Sequence, residues 1–211
     1  MNITKFGHSC LLIEEQQARI LIDPGVYSSL QNDVTNLDAI LITHEHADHC
    51  DLASLKIILA NNPQAHIFTN TGVGEKLKAE HIPFELLLGG QSQTIKGVLI
   101  EGYGEWHATI YKAIPIIHNV GYRIAERFFY GGDALIPPNV PVEILAYPAL
   151  APWMKSAEAI EYALAVKPKV CFPVHDSFLK FPGPFYALPE KMLAEQGIGW
   201  QVIEVGKTIE F

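Results

Sequence analysis

The stretch THEHADHCD, residues 43–51, places three histidines and three acidic residues within nine positions. The apolar residues before it, with the β-branched Ile40, Ile42 and Thr43, predict a buried strand over 39–43. The residues after it, LASLKIILA, have apolar side chains at helical spacing, and Asp51 is a suitable N-cap for that helix. The stretch therefore lies on a loop between a strand and a helix, where binding and catalytic residues are often found.

The histidines of this loop have the chemistry of metal ligands. Neutral imidazoles bind zinc and similar divalent ions. His44 and His46, two residues apart, point the same way from an extended backbone, while Asp48 and His49 lie just beyond and can turn toward a second position. Sites with two ions roughly 3.5–4 Å apart are a known hydrolytic arrangement. Because three of the nine histidines of the chain fall within six positions, we interpret the loop as a metal site and not as a solvated polar loop.

The composition limits the class of protein. The chain has 211 residues, of which 49% are hydrophobic, enough for a full core. Its net charge of −8 argues against a nucleic-acid surface, which normally has clustered Lys and Arg. The first residues do not resemble an export signal, and no stretch reaches the roughly 18 apolar residues of a membrane span. We therefore expect a cytoplasmic protein without nucleic-acid or membrane partners, and a homo-oligomer is compatible with these features.

Cysteine chemistry is not expected to contribute to the site. The three cysteines, Cys10, Cys50 and Cys171, are an odd number and have no CxxC spacing, so buried free thiols are predicted and not disulfides or a thiolate zinc site. Cys50 follows His49 directly, but we expect its side chain to point toward the core of the next helix.

Strands and helices alternate in the first half of the chain. Apolar runs and turn residues predict a hairpin around EEQQ, followed by elements in β-α-β-α-β order. The predicted strands are 10–14, 19–23, 39–43, 66–69 and 84–88. The first predicted helix begins at residue 52, and the second covers residues 73–80.

The second half begins with hairpins and then returns to alternating strands and helices. The predicted strands are 93–95, 98–103, 120–125, 128–130, 143–147 and 169–173, the predicted helices are 156–166 and 189–196, and 200–205 with 207–210 form a closing hairpin. No linker rich in Ser, Pro or charge divides the chain, so we predict a single domain over residues 1–211. Its predicted class is α/β (α+β), a four-layer αβ/βα sandwich of two mixed β-sheets flanked by helices.

Several motifs of this chain resemble one known family. HEHADH, residues 44–49, matches the HxHxDH signature of the metallo-β-lactamase superfamily, and further motifs follow in order. ILIDPG, with Asp23, resembles the first motif, in which an acid supports the metal loop without binding the ion. GGDA, with Asp133, resembles the bridging aspartate motif, and FPVHD, with His175, resembles the late histidine at a strand end. The resemblance covers nearly the whole chain, and the start, KFGHSCLLIE, is similar to small members described as ascorbate-6-phosphate-lactonase-like or as Zn-dependent hydrolases.

The family also has a histidine between the signature and the bridging aspartate, and two residues of this chain can take that place. His107 follows the predicted strand 98–103 after a glycine-containing loop, and the small Ala108 leaves room near a metal. His118 stands shortly before the next strand and can instead support the site. We favour His107 and keep His118 as the alternative, while His8, in FGHSC, is a candidate hydrogen-bond donor behind the ligands.

The resemblance implies a site for two divalent ions. The implied ligands are His44, His46 and His107 for one ion and Asp48, His49 and His175 for the other, with Asp133 between them. Zinc is the first choice of metal, with manganese or iron as alternatives. Asp48 is the implied catalytic residue, because a carboxylate beside the attacking water can orient it and accept its proton.

The predicted function is hydrolysis of an ester, lactone, amide or phosphoester bond of a small cytoplasmic substrate. The alternative is a catalytically weak module of the same fold in which the metal serves structure only, and the full ligand set favours the enzyme. Candidate contacts for the substrate are Tyr103, Trp106, Tyr147, Trp153, Lys155, Lys180 and the segment 178–185, which we interpret as a lid-like loop.

Overall fold

The computed structural model describes residues 1–211 and contains fourteen strands, four α-helices and one short 3₁₀ helix, Leu30–Asp33. In chain order the strands are β1 (Asn2–Gly7), β2 (Cys10–Glu15), β3 (Ala18–Ile22), β4 (Ala39–Leu41), β5 (His66–Thr69), β6 (Glu85–Leu86), β7 (Ser92–Ile95), β8 (Val98–Tyr103), β9 (Gly121–Ile124), β10 (Phe128–Tyr130), β11 (Ile144–Pro148), β12 (Val170–Val174), β13 (Gly199–Trp200) and β14 (Thr208–Glu210). The α-helices are α1 (Leu52–Asn61), α2 (Thr71–Ala79), α3 (Ser156–Val166) and α4 (Gly183–Ala194).

The strands form two mixed seven-stranded sheets. The first has the order β14-β1-β2-β3-β4-β5-β6 and the second β13-β12-β11-β10-β9-β8-β7. Strands β1 to β3 pair antiparallel and β3 to β6 parallel. In the second sheet β7 to β10 pair antiparallel and β10 to β13 parallel. Each sheet thus combines antiparallel and parallel pairs, and β14, from the end of the chain, completes the first sheet.

Three apolar clusters define the layers. The largest, with 22 buried residues such as Ile20, Tyr122 and Phe172, comes from the facing sides of the two sheets. A second cluster of 14 joins the outer side of the first sheet to α1 and α2, and a third of 11 joins the second sheet to α3 and α4. This helix-sheet-sheet-helix arrangement confirms the predicted four-layer sandwich of two mixed sheets.

Four details differ from the predicted elements. Strand β1 has no counterpart in the prediction. The predicted closing hairpin is wrong, because Gly199–Trp200 pairs parallel with β12 while Thr208–Glu210 pairs antiparallel with β1 in the other sheet. Helix α4 begins at Gly183 and not at 189, since Pro184 occupies its first turn, where a missing N–H costs nothing. The strand predicted over 84–88 has only two residues, Glu85–Leu86.

The ends of the helices follow from local chemistry. The side chain of Asp51 accepts hydrogen bonds from the backbone of Ala53 and Ser54 and so caps α1, as predicted. Asn70 caps α2 by accepting from Val73. No helix combines the length and the apolar character required to cross a membrane. All three cysteines are buried and free, which confirms the prediction for these thiols.

Candidate metal centre

Loops that leave neighbouring strand ends bring the predicted ligands together. The loop after β4 holds His44, His46, Asp48 and His49, and the loops after β8, β10 and β12 hold His107, Asp133 and His175. The backbone N–H of His175 also donates to the carbonyl of His8, 3.1 Å away, and so joins an end of each sheet. The candidate site therefore lies where the two sheets meet.

Two glycines allow the loops to approach each other this closely. A Cβ atom on Gly25, in the DPG motif, would lie 1.8 Å from the carbonyl oxygen of Asp48. A Cβ atom on Gly132, in the GGD motif, would lie 2.3 Å from the side-chain oxygen of Asn119. Both distances are far below a van der Waals contact, so a side chain at either position would push the ligand loops apart.

The first cluster contains His44, His46, His107 and Asp133. Their ligand atoms lie within 4.8 Å of one another. His44 Nε2 and His46 Nδ1 are 3.1 Å apart, and His107 Nε2 is 3.4 Å from Asp133 Oδ2. These four side chains converge closely enough to surround one ion.

The second cluster contains His8, Asp48, His49 and His175, again with ligand atoms within 4.8 Å. Asp48 Oδ2 lies 3.7 Å from His49 Nε2, 3.6 Å from His175 Nε2 and 3.2 Å from His8 Nε2. The side chain of Asp48 is 20% exposed, whereas the three histidines are buried. Asp48 is thus on the solvent side of this cluster.

Asp133 lies between the two clusters. Its Oδ1 is 3.3 Å from His49 Nε2, and its Oδ2 is 3.3 Å from His175 Nε2 and 3.8 Å from His44 Nε2. The carboxylate is 3% exposed. It therefore contacts histidines of both clusters, the geometry expected of a residue shared by two ions.

Hydrogen bonds on the outer side of the histidines fix their tautomers. His107 Nδ1 donates to the carbonyl of Ala108 and His175 Nδ1 to that of Leu150, each at 2.6 Å. His49 Nδ1 donates to Asp23 Oδ2 at 2.7 Å. A carbonyl or carboxylate oxygen only accepts, so Nδ1 carries a proton. In the neutral ring the Nε2 lone pair then points into the centre, the usual arrangement behind a metal ligand.

Asp23 has contacts that support the metal loop. Besides the hydrogen bond from His49, it accepts hydrogen bonds from the backbone N–H of Thr43 at 2.8 Å and from the hydroxyl of Thr43 at 2.7 Å. The Thr43 oxygen in turn lies 3.0 Å from His44 Nδ1. Asp23 is fully buried and is absent from both clusters, so it orients two histidines without itself facing the centre.

Several buried polar atoms of the site have no hydrogen-bond partner. They are His49 Nε2, His107 Nε2, His175 Nε2 and Asp133 Oδ1. A buried polar group without a partner costs about 1–3 kcal/mol. Because all four atoms point into the same small volume, divalent ions fit this donor set, and coordination by them would satisfy every one of these atoms.

The buried histidines of the centre differ in the direction in which their pKa is shifted. Burial lowers the pKa of His44 well below its usual value and keeps this imidazole neutral. Burial also acts to lower the pKa of His49, but the carboxylates of Asp133 and Asp23 outweigh it and raise that pKa to about 9. Burial acts to raise the pKa of Asp48, yet the hydrogen bond from His8 and the charge of His49 lower it to about 2. Asp48 is therefore ionised at neutral pH.

His118 lies outside both clusters. Its ring stacks on Trp106 with centroids 4.4 Å apart, and the two residues pair across an isolated antiparallel bridge. Both line a cavity of about 740 Å³ beside the first cluster, together with Asn119 and Ile136. Antiparallel partners point to the same face of a ladder, so the bridge places His118 with Trp106 and on the face opposite to His107.

The other predicted substrate contacts have different surroundings. Tyr147 is 1% exposed and belongs to the core between the second sheet and its helices. Tyr103 packs edge-on against Phe129. Lys155 and Lys180 are exposed and are in neither cluster. Of the segment 178–185, the last three residues belong to α4, so only the part before Gly183 is a loop.

Two supporting contacts of the site were not predicted from the sequence. Trp153, predicted to contact substrate, instead donates its indole N–H to Asp133 Oδ2 at 2.8 Å. Lys5, which is buried, donates to Asp176 at 2.5 Å and to the carbonyl of Pro173 at 2.9 Å, on either side of His175. The only sequence signal for Lys5 is that it is the one charged residue of β1, NITKFG.

Comparison with known sequences identifies relatives of this chain. A family model described as "Beta-lactamase superfamily domain" matches residues 2–175. Protein Rv0786c of Mycobacterium tuberculosis is 41% identical over 188 residues, 85% of each chain. The UPF0173 metal-dependent hydrolase DSY1309 of Desulfitobacterium hafniense is 27% identical over 195 residues, 83% of each chain.

Two solved structures share the architecture. Igni18, described as a novel metallo hydrolase from Ignicoccus hospitalis, has a TM-score of 0.77 and 22% identity, covering 100% of this chain and 98% of that one. CmlA, described as a diiron β-hydroxylase from Streptomyces venezuelae, has a TM-score of 0.82 and 14% identity, covering 100% of this chain and 54% of that one. At these identities the likeness concerns the fold alone.

Proposed function

This chain belongs to the beta-lactamase superfamily and is a metal-dependent hydrolase, and we propose that it uses two divalent ions to hydrolyse an ester, lactone, amide or phosphoester bond of a small substrate. The observation that carries the proposal is the pair of ligand clusters joined by Asp133. Sites with two adjacent ions suit hydrolytic displacement, because both the attacking and the leaving oxygen need stabilisation.

We assign His44, His46 and His107 to the first ion, Asp48, His49 and His175 to the second, and Asp133 to both. Five imidazoles and two carboxylates favour zinc, with manganese or iron as alternatives. The inward Nε2 lone pairs and the unpartnered Asp133 Oδ1 support this assignment. When bound, the ions supply Lewis-acid chemistry: they acidify water and polarise the oxygen of the scissile group.

Asp48 is the proposed general base. Its carboxylate is ionised, lies on the solvent side of the second cluster and is held by the hydrogen bond from His8. It can therefore orient the attacking water and accept its proton. His46, half-buried, is the other ligand at the solvent side, so the substrate reaches the centre past Asp48 and His46.

The surroundings support a small, partly apolar substrate. The aromatic rings of Tyr27 and Phe178 pack edge-on at 4.8 Å beside His8, and both side chains are about half exposed. Trp106 and Ile136 are similarly exposed along the neighbouring cavity. Four features remain predictions from the sequence: a lactonase-like activity, a cytoplasmic location, the lack of nucleic-acid partners and a possible homo-oligomeric state.

Metal analysis combined with a substrate screen tests the proposal. Purified protein saturated with zinc, manganese or iron is expected to hold close to two ions per chain by plasma emission spectroscopy. The loaded protein is then screened against lactones, carboxylic esters, amides and phosphodiesters, with the metal-free protein and His44→Ala as controls.

The outcomes separate the alternatives. Turnover that requires metal and is lost in His44→Ala supports a hydrolase and names the bond type. No more than one ion under saturating metal contradicts the two-ion assignment. Two ions without metal-dependent turnover on any substrate class would favour the catalytically weak module.

A further inference from the structure

His8 differs from the other histidines of the centre in its hydrogen bonding. The backbone N–H of Ser177 points at His8 Nδ1, 3.4 Å away, whereas His49, His107 and His175 donate from the same ring position. A backbone N–H only donates, so His8 Nδ1 is an acceptor and carries no proton. In the neutral ring the proton is then on Nε2.

The proton on Nε2 determines what His8 does. His8 Nε2 lies 3.2 Å from Asp48 Oδ2, and the carboxylate accepts. A ring nitrogen that carries a proton has no lone pair to offer to an ion. His8 therefore lies in the second cluster, but the proton on its Nε2 prevents it from acting as a ligand.

We propose that His8 is a positioning residue that holds the Asp48 carboxylate toward the second ion, with Ser177 fixing its tautomer. This inference rests on the proposed role of Asp48 as ligand and base. A carboxylate oxygen has two lone pairs that can accept or coordinate. The hydrogen bond from His8 uses one lone pair of Oδ2, and the other can face the second ion between His49 and His175.

The backbone and the packing hold the His8 ring in place. His8 has a φ of 48° in the turn between β1 and β2, next to a shift in their register. Its ring is 1% exposed and lies 4.1 Å from the ring of His175 and 5.2 Å from that of Phe178. The turn therefore places a donor of fixed direction behind a ligand that is itself partly open to solvent.

Imidazole nitrogen NMR on ¹⁵N-histidine-labelled protein reads the tautomer directly. We expect the His8 Nε2 proton to be present in the metal-free protein and to persist after zinc is added, while His49, His107 and His175 keep a proton on Nδ1. Loss of the Nε2 proton on zinc binding would make His8 a ligand and overturn the proposal. A proton on Nδ1 in the metal-free protein would overturn it as well.

Two variants of His8 test the consequence for metal binding. His8→Phe keeps a ring of similar size but removes the donor, and affinity for the second ion is expected to fall by about 10–100-fold, the usual effect of losing such a partner. His8→Gln can still donate from its amide and is expected to restore most of that affinity. His81→Phe and His81→Gln, at an exposed histidine that belongs to neither cluster, are the controls.

The readouts do not depend on turnover. Zinc titration of the second site and the NMR signal are measured without any substrate, so an inactive protein leaves the test intact. If the wild type binds only one ion, the two-ion function fails, while the tautomer of His8 is still read in the metal-free protein. Equal affinity of His8→Phe and wild type for the second ion would overturn the positioning role.

Discussion

Asp48 combines two properties that are separable by mutation, because it is both a proposed ligand and the proposed base. Asp48→Asn keeps the shape and one carbonyl donor but removes the charge and the proton acceptor. We expect metal binding to weaken modestly and turnover to fall by roughly 10²–10⁴-fold, the range for losing a positioned general base. The loss is expected mainly in kcat, because substrate contacts are unchanged.

Steady-state kinetics on the substrate found by screening measure this effect. His44→Ala is the comparison, since it removes a buried residue proposed as a ligand in the first cluster and is expected to abolish both binding at that site and turnover. Near wild-type turnover in Asp48→Asn would mean that Asp48 is a ligand and not a base.

The choice between His107 and His118 as the third histidine of the first site gives a second test at the level of single residues. His107 has an unpartnered inward Nε2, while His118 stacks on Trp106 outside the clusters. His107→Ala is therefore expected to lose the first ion, and His118→Ala to keep both ions. Metal content after dialysis distinguishes them, and the reverse result would assign the ligand to His118.

The site could be predicted from the sequence where the residues are close in the chain or carry a motif. His44, His46, Asp48 and His49 lie within six positions, and their spacing alone indicates metal binding. The bond from Trp153 to Asp133 joins residues 20 positions apart. His8 was expected to be a donor, but its partner Asp48 lies 40 positions away and was not identified. Such contacts depend on how separate loops meet, and no local pattern encodes them.

At the scale of elements, prediction succeeded for strands that have their own apolar pattern. It failed for strands whose existence and sheet depend on the strand they pair with. Gly199–Trp200 and Thr208–Glu210 are two and three residues long and belong to different sheets. Short edge strands are defined by the strands they pair with, β12 and β1, and a sequence pattern alone reads them as a hairpin. The start of α4 was missed because Pro and Gly, which usually mark loops, occupy its first turn.

The residues just before β10, β11 and β12 are linked by two ion pairs of Glu143, which should respond to pH. The hydrogen bonds from Lys169 and Arg127 lower the pKa of Glu143 to about 2. An ionised Glu143 therefore stabilises the fold above about pH 4.3, the value of a free glutamate, and this contribution is lost as the pH falls toward 2. Since the side chain is 34% exposed, we expect no more than about 1 kcal/mol.

Urea unfolding of Glu143→Gln and wild type at several pH values checks this prediction. The difference in the free energy of unfolding should be present at pH 7 and should vanish near pH 2. Glu190→Gln, at an exposed glutamate that is in none of the ion pairs, is the control. A difference that does not depend on pH would point to packing and not to charge.

At the scale of the whole molecule, the centre joins the two sheets, and we expect the proposed ions to stabilise the fold. An ion that binds only the folded chain at about 1,000 times its Kd adds about 4 kcal/mol. For a chain of this size 1 kcal/mol shifts Tm by about 2–4 °C. Removing the ions with a chelator is therefore expected to lower Tm by about 8–16 °C for one such site.

Scanning calorimetry measures this shift, and zinc should restore the original Tm after the chelator is removed. Magnesium is the control ion, because it prefers oxygen ligands to imidazoles. An unchanged Tm without metal would show that the clusters do not depend on ions for stability. If residues 1–211 form a single domain, as predicted, each scan should contain one transition.

The division of the ligands between the two sheets also determines when the centre can form during synthesis. His44, His46, Asp48 and His49 leave the ribosome early, but each cluster also needs a residue from the second half, and the last is His175. A nascent chain cannot hold both ions before that residue has emerged. Of the two proposed ions, the second is therefore expected to bind only after nearly all of the chain has been synthesised.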